Sequence, residues 1–199
     1  DLRLYDHAAL SHALASSKSV WVVFVFDTTI LDPLKDSKST SLKADRRVDF
    51  IWQGIDQIDA ALRKQGGGLI VRYGKPIECI PKIATELGVS CVMVNHDYEP
   101  SAIERDAVIA SSLEKNGIVF ETFKDQVIFE KKEVLTNSST VFSVFTPYKN
   151  AWLKRLNEGD LAPHACKAKP GQFAAIPKKL DLGIPSLESM GFCATGIES

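Results

Sequence analysis

Residues 19–26, Ser19-Val20-Trp21-Val22-Val23-Phe24-Val25-Phe26, make an almost wholly apolar run rich in β-branched and aromatic side chains. A strand with one wet face alternates apolar and polar residues, whereas a run without alternation is expected where both faces are covered. That requires helices on each side of the sheet, and the rest of the chain supplies them. Ala8 to Ala15 reads as a short helix with Asp6 as its N-cap. From Ala44 to Lys64 the spacing of Val48, Ile51, Trp52, Ile55, Ile58 and Leu62 fits one helical face, and Gly66-Gly67-Gly68 ends it. Leu69 to Tyr73 is the next strand, followed by Gly74 and a helix carrying Ile77, Ile80, Ile83, Ala84 and Leu87 that Gly88 closes. Ser90 to Asn95 gives another buried strand, Pro100 opens a helix to Lys115, and Ile118 to Phe123 is the last clear strand.

Strands alternating with helices imply right-handed parallel crossovers. The expected fold class is α/β: a doubly wound, mainly parallel, Rossmann-like sheet of five strands with helices on both faces. Four of those strands are visible. A domain of this kind normally opens with the strand that lies in the sheet centre, but this chain opens at Asp1 with a turn and a helix. The first strand is therefore expected upstream of Asp1, the chain is read as a fragment, and its sheet should show exposed inner edges.

Two segments depart from the alternation. Asp27 to Thr40 reads as a polar loop with Pro33 and a Ser/Lys/Thr cluster. Beyond Gly159, seven Pro and Gly residues from Pro163 to Gly191 interrupt a stretch of little periodicity, which reads as a connector or unsupported tail rather than core. The expected division is an α/β domain over residues 1–159 and an interdomain connector over 160–199. In Phe142-Ser143-Val144-Phe145-Thr146-Pro147-Tyr148, Thr-Pro starts a short helix, and Trp152 should anchor that helix against the sheet.

Charge excludes some functions. With 24 basic and 25 acidic side chains the net charge is -1, which argues against a phosphate-binding footprint over the whole domain. Cys79, Cys91, Cys166 and Cys193 have no metal-ligand spacing and read as reduced core cysteines of a cytoplasmic protein. No apolar run reaches membrane-spanning length. The glycines at 66–68 precede a strand, whereas a dinucleotide fingerprint follows one, and no P-loop is present. His7, His12, His96 and His164 are scattered, with no motif marking a nucleophile. In open parallel sheets, ligands sit at the carboxyl ends of strands. That rule ranks Asp27, Gly74, Asp97, Glu99 and Lys124-Asp125-Gln126 as candidates, with turn or helix capping as the alternative role for Asp27 and Asp97. Arg46-Arg47 could offer a charged rim to an anion. From the residues alone, the chain is a ligand-binding α/β domain without a catalytic group of its own.

Four segments in order resemble the DNA photolyase and cryptochrome family: Asp1-Leu2-Arg3-Leu4-Tyr5-Asp6-His7-Ala8-Ala9-Leu10; Asn95 to Pro100 with Arg105-Asp106; Phe142 to Trp152; and Ile184-Pro185-Ser186-Leu187. Each is weak alone, and together they are specific. The resemblance covers nearly the whole chain and implies the N-terminal antenna-chromophore domain of a deoxyribodipyrimidine photo-lyase. In that family a separate C-terminal helical domain holds FAD and the damaged DNA, and the antenna chromophore passes excitation energy to the flavin, which drives repair of cyclobutane pyrimidine dimers. This chain alone would not be catalytic. Its implied partners are the FAD-binding domain and, through it, UV-damaged DNA, with no membrane and a monomeric state.

The resemblance also bears on the antenna. Folate-type members have Asn-Glu shortly after the Tyr-Glu pair, where this chain has Ser101-Ala102. That favours 8-hydroxydeazaflavin or FMN over methenyltetrahydrofolate. By the same matching, Phe24, Phe26, Asp27, Arg47, Asp97 and Glu99 occupy cofactor-binding positions, the rings to sandwich a planar heterocycle and the acids to accept hydrogen bonds from its edge. No catalytic or metal-ligating residue is expected. A cryptochrome photoreceptor is the alternative, and a free-standing nucleotide-binding α/β module is a third reading, which lacks the phosphate loop it needs.

Overall fold

The apolar runs form strands and the amphipathic stretches form helices in the computed structural model, which describes residues 2–35 and 41–197. The order is α1 (Ala8–Ser16), β1 (Val22–Asp27), α2 (Thr28–Leu31), β2 (Lys43–Ala44), α3 (Arg46–Arg63), β3 (Leu69–Gly74), α4 (Pro76–Leu87), β4 (Cys91–Asn95), α5 (Pro100–Glu114), β5 (Val119–Phe123), α6 (Phe145–Arg155) and β6 (Phe192–Cys193). β1 pairs in parallel with β3, from Val22 opposite Leu69 to Asp27 opposite Gly74. β4 pairs in parallel with β5, from Cys91 opposite Val119 to Asn95 opposite Phe123. The α/β class and the four visible strands are as expected. Among the described residues no ladder joins the two pairs, so β1 and β4 each carry one unpaired edge.

The polar loop after β1 is more ordered than expected. Asp27 caps α2, and a 3₁₀ turn follows at Asp32–Leu34; the Ser/Lys/Thr cluster at 36–40, like Asp1, lies outside the described residues. The N-cap of α1 is His7 rather than Asp6: its Nδ1 accepts from the Leu10 N–H at 3.1 Å. Asp6 is occupied otherwise. It takes a left-handed φ of 44°, its carboxylate accepts from the His164 N–H, and its carbonyl accepts from Arg3 Nε. Two further α1 amides reach across to the sheet. The Ala8 N–H donates to Asp125 at 2.8 Å and the Ala9 N–H to Asn95 Oδ1 at 2.8 Å, meeting the unsatisfied donors of a helix start.

The segment after Gly159 differs most from expectation. It has almost no regular structure, yet it supplies core. Phe173, Leu180, Leu187, Met190 and Phe192 are buried, Phe192 completely. Phe173, Leu187, Met190 and Phe192 join the cluster formed by Phe26, Val48, Ile55 and Leu62. Backbone bonds from Val20 N–H to Gln172 and from Ala174 N–H to Val20 lay this segment beside β1, and β6 pairs with β2. The Gly66–Gly68 stretch makes room for it: a Cβ on Gly67 would come within 2.8 Å of Phe173 Cβ, and one on Gly68 within 2.7 Å of Ile176 Cδ1. The glycines are an approach site for returning chain, consistent with their placement ahead of a strand. Trp152 also differs: α6 buries none of its residues, and the indole meets the Phe129 ring edge-on at 5.5 Å instead of the sheet.

Truncating Phe192, which is 0% exposed, should cost about 3–5 kcal/mol. Urea unfolding of Phe192→Ala should show that loss; a change under about 1 kcal/mol would mean that the returning segment contributes no core.

Candidate functional site

The chain's strand-end residues converge on a cleft of about 340 Å³ at the carboxyl ends of β1, β3 and β4. Asp27 reaches it from the end of β1, Lys75 from the residue after β3, and Asp97 and Glu99 from the turn after β4. Arg105 lines it from the first turns of α5, and Ile30, Ile77 and Val108 give it apolar walls. The wall residues Ile30 and Val108 are 60% and 50% exposed, so apolar surface stands open beside charged groups. A few polar groups converging on apolar walls is the common arrangement of small-molecule sites.

Of the six positions expected to bind a cofactor, the structure brings Asp27, Asp97 and Glu99 together on this cleft. Asp27 also accepts from the N–H and hydroxyl of Thr29, and Asp97 accepts from the Glu99 N–H; both acids therefore serve as local caps while keeping capacity for a further donor. Phe24, Phe26 and Arg47 stand apart. The two rings lie on one face of β1 in a T-shaped contact at 4.9 Å, with Phe26 in the core at 3% exposure, so they sandwich each other's edge and leave no slot between them. Arg47 folds back on the N-cap of α3, Nη2 to Asp45 at 2.7 Å and Nε at 3.1 Å.

Lys75 and Arg105 are cleft cations beyond the residues expected from sequence. Lys75 follows Gly74, one residue past the end of β3. Arg105 belongs to the Arg105-Asp106 pair, and its Nη2 lies 2.8 Å from Asp106.

A polar network borders the site. Glu130 accepts from Tyr98 OH at 2.6 Å and lies 2.7 Å from His96 Nδ1, while His96 Nε2 meets Thr122 Oγ1 at 2.8 Å. Burial pushes the Glu130 carboxyl up, but the hydrogen bonds from Tyr98 and His96 outweigh it and hold it below the usual range. Burial and the same carboxylate push the Tyr98 phenol well up. Glu133 accepts from Lys124 at 2.8 Å and from the Glu130 N–H at 2.7 Å, pinning the segment after β5. These partners are mutually satisfied, which fits a structural role. The Lys124-Asp125 strand-end candidates are likewise engaged: Asp125 holds Arg3 Nη2 at 2.6 Å with its side chain 1% exposed. No group of three or more potential metal ligands occurs among the described residues, and no helix there is long and apolar enough to cross a membrane.

Residues 1–170 match the family model described as DNA photolyase. The deoxyribodipyrimidine photo-lyase of Halobacterium salinarum is 29% identical over 96% of this chain and 39% of its own length. The cryptochrome DASH of Natronomonas pharaonis is 28% identical over 96% of the chain and 39% of its own length. Among solved structures, an archaeal photolyase from Sulfolobus tokodaii, described as having two FAD molecules with the implication of a novel light-harvesting cofactor, superposes over 100% of this chain and 41% of its own, with a TM-score of 0.71 and 25% identity. The chain thus spans about two-fifths of the length of these relatives.

The Asp45–Arg47 pair yields a test that separates it from the cleft. The Arg47 guanidinium holds the Asp45 carboxyl at about 2, against an ordinary 3.8. A depressed folded-state value stabilises above the unfolded value and loses that stabilisation as pH falls through the folded one. Arg47→Ala should therefore unfold at lower urea than the parent near neutral pH, with the gap closing between about pH 4 and 2. A gap constant across that range would show that the pair is not the source.

Proposed function

The chain belongs to the DNA photolyase family, and on that premise we propose that it is the antenna-chromophore domain of a light-dependent deoxyribodipyrimidine photo-lyase. The observation that carries this reading is the cleft where Asp27, Asp97 and Glu99 meet Lys75 and Arg105 at the carboxyl ends of three strands. When bound, the antenna group supplies absorption of near-ultraviolet or blue light and passes the energy to FAD.

The chain's own residues hold and shield the ligand. The Asp97 and Glu99 carboxylates accept hydrogen bonds from the polar edge of a planar heterocycle, and Ile30, Ile77 and Val108 exclude water from its face. Lys75 and Arg105 receive an anionic tail. Ser101-Ala102, where folate-type members have Asn-Glu, favours 8-hydroxydeazaflavin or FMN over methenyltetrahydrofolate, and the two FAD molecules of the Sulfolobus tokodaii relative support a flavin-type ligand. This reading keeps Asp27, Asp97 and Glu99 as ligand contacts and dispenses with Phe24, Phe26 and Arg47. Repair of cyclobutane pyrimidine dimers belongs to the FAD-binding domain that partners this one, through which UV-damaged DNA is reached.

A cryptochrome is the second reading, favoured by the match to the Natronomonas pharaonis protein. Light-dependent repair of thymine-dimer DNA by the full-length protein separates the two: repair is expected, and its absence with bound FAD intact would favour the photoreceptor.

Asp97→Ala with Glu99→Ala should remove about 1–3 kcal/mol of ligand binding, a loss of roughly 5- to 150-fold in affinity. Absorbance retained after gel filtration, with FMN and with 8-hydroxydeazaflavin, measures it. Unchanged retention in a folded double variant would move the site elsewhere.

A further inference from the structure

The turn that carries Asp97 and Glu99 is held from its far side. The His96 N–H donates to the Phe123 carbonyl at 2.7 Å, which carries the β4–β5 pairing one residue past Asn95. From there the side chains alternate in direction, as they do along extended backbone. His96 and Tyr98 reach the segment after β5, where His96 Nδ1 lies 2.7 Å and Tyr98 OH 2.6 Å from the same oxygen, Glu130 Oε2. The alternate residues, Asp97 and Glu99, line the candidate cleft. One carboxylate oxygen thus grips both neighbours of Asp97, and the direction of His96 and Tyr98 sets the direction of the two acids.

Glu130 is itself held. Its N–H donates to Glu133 Oε2 at 2.7 Å, and Glu133 accepts from Lys124 Nζ at 2.8 Å. Arg155 of α6 donates to the Glu133 carbonyl, and His96 has a second partner in Thr122 Oγ1 at 2.8 Å. The His96 and Glu130 side chains are 19% and 14% exposed, shielded enough for these bonds to fix geometry. An ionised carboxylate only accepts, so Tyr98 OH and His96 Nδ1 are the donors. None of the three residues belongs to an apolar core cluster of the described residues, so the clamp bears on the turn and not on the core.

On the reading of the cleft as the antenna site, we propose that Glu130 is a positioning residue for the ligand: through His96 and Tyr98 it aims the Asp97 and Glu99 carboxylates into the cleft. Glu130 does not line the cleft itself. Acceptors fixed beforehand bind a ring edge without the cost of ordering them at that moment. With the clamp released, the two carboxylates remain but the ligand has to order them.

Equilibrium dialysis of the full-length protein, with FMN and with 8-hydroxydeazaflavin, tests this. Glu130→Ala should weaken binding about tenfold. Glu130→Gln, whose carbonyl oxygen can still accept from both donors, should restore affinity to within about twofold of the parent. In the Asp97→Ala, Glu99→Ala background, Glu130→Ala should cause no further loss, because it acts only through those carboxylates. Tyr98→Phe removes one donor and keeps the ring; it should weaken binding about threefold and serves if Glu130→Ala does not fold. Without ligand, amide exchange at Glu99, whose N–H donates to Asp97 at 3.1 Å, should quicken in Glu130→Ala. Parent affinity in folded Glu130→Ala, equal losses in both backgrounds, or an unchanged Glu99 exchange rate would each overturn the proposal while leaving the cleft in place. Parent affinity in the Asp97→Ala, Glu99→Ala protein would instead overturn the cleft reading, and this proposal with it.

Discussion

The start of α1 ties the two strand pairs together, alongside α4, which packs Ile83 on Ile70 of β3 and Ala84 against Ile109 and Leu113 of α5. The β1–β3 and β4–β5 pairs share no ladder among the described residues, so their relative position rests on what spans them. α1 does so by anchoring its first turn on side chains at the far ends of β4 and β5 and delivering the chain to β1. Asn95 and Asp125 accept from consecutive α1 amides, and Arg3 locks Asp125 from outside. Burial pushes the Asp125 carboxyl up, but the Ala8 N–H and Arg3 outweigh it and hold it low and charged. Burial also lowers His7, against the pull of Asp125, which favours the neutral imidazole whose Nδ1 caps the helix. The opening residues that carry the family resemblance are thus a helix-docking device.

That arrangement places the candidate cleft at a seam. Asp27 comes from one strand pair and Asp97 from the other, with Lys75 and Arg105 at the starts of the helices that follow β3 and β4. In a doubly wound sheet the connections diverge at such a point, leaving a crevice without filling. Acids and cations line it together, and Asp27 and Asp97 also accept local hydrogen bonds from Thr29 and the Glu99 N–H.

The alternation of strands and helices was legible because apolar runs and helical spacing are local signals. The break in the sheet was expected too, and among the described residues no ladder joins β1 to β4. The returning segment was not: Phe173, Leu180, Leu187, Met190 and Phe192 have no common period, because each is set by a turn rather than by an element, and Pro and Gly between them read as linker. The strand-end rule points to Asp27, Asp97 and Glu99, and these line one cleft. Phe24, Phe26 and Arg47 rest on the family resemblance: residues two apart on a strand share a face, which sets the two rings edge to face, and Arg47 pairs with Asp45 two residues back.

The burial of Phe192 has a consequence for how the domain is made. Leu10, Ile55 and Leu62 share a cluster with side chains more than a hundred residues downstream, and contacts that distant in sequence form slowly. During synthesis the helices and strands up to α6 can emerge with their shared core open on one side. Closure waits for residues 173–192, which makes the nascent chain's exposed surface around Gly67 and Val20 the place where chaperone dependence would concentrate.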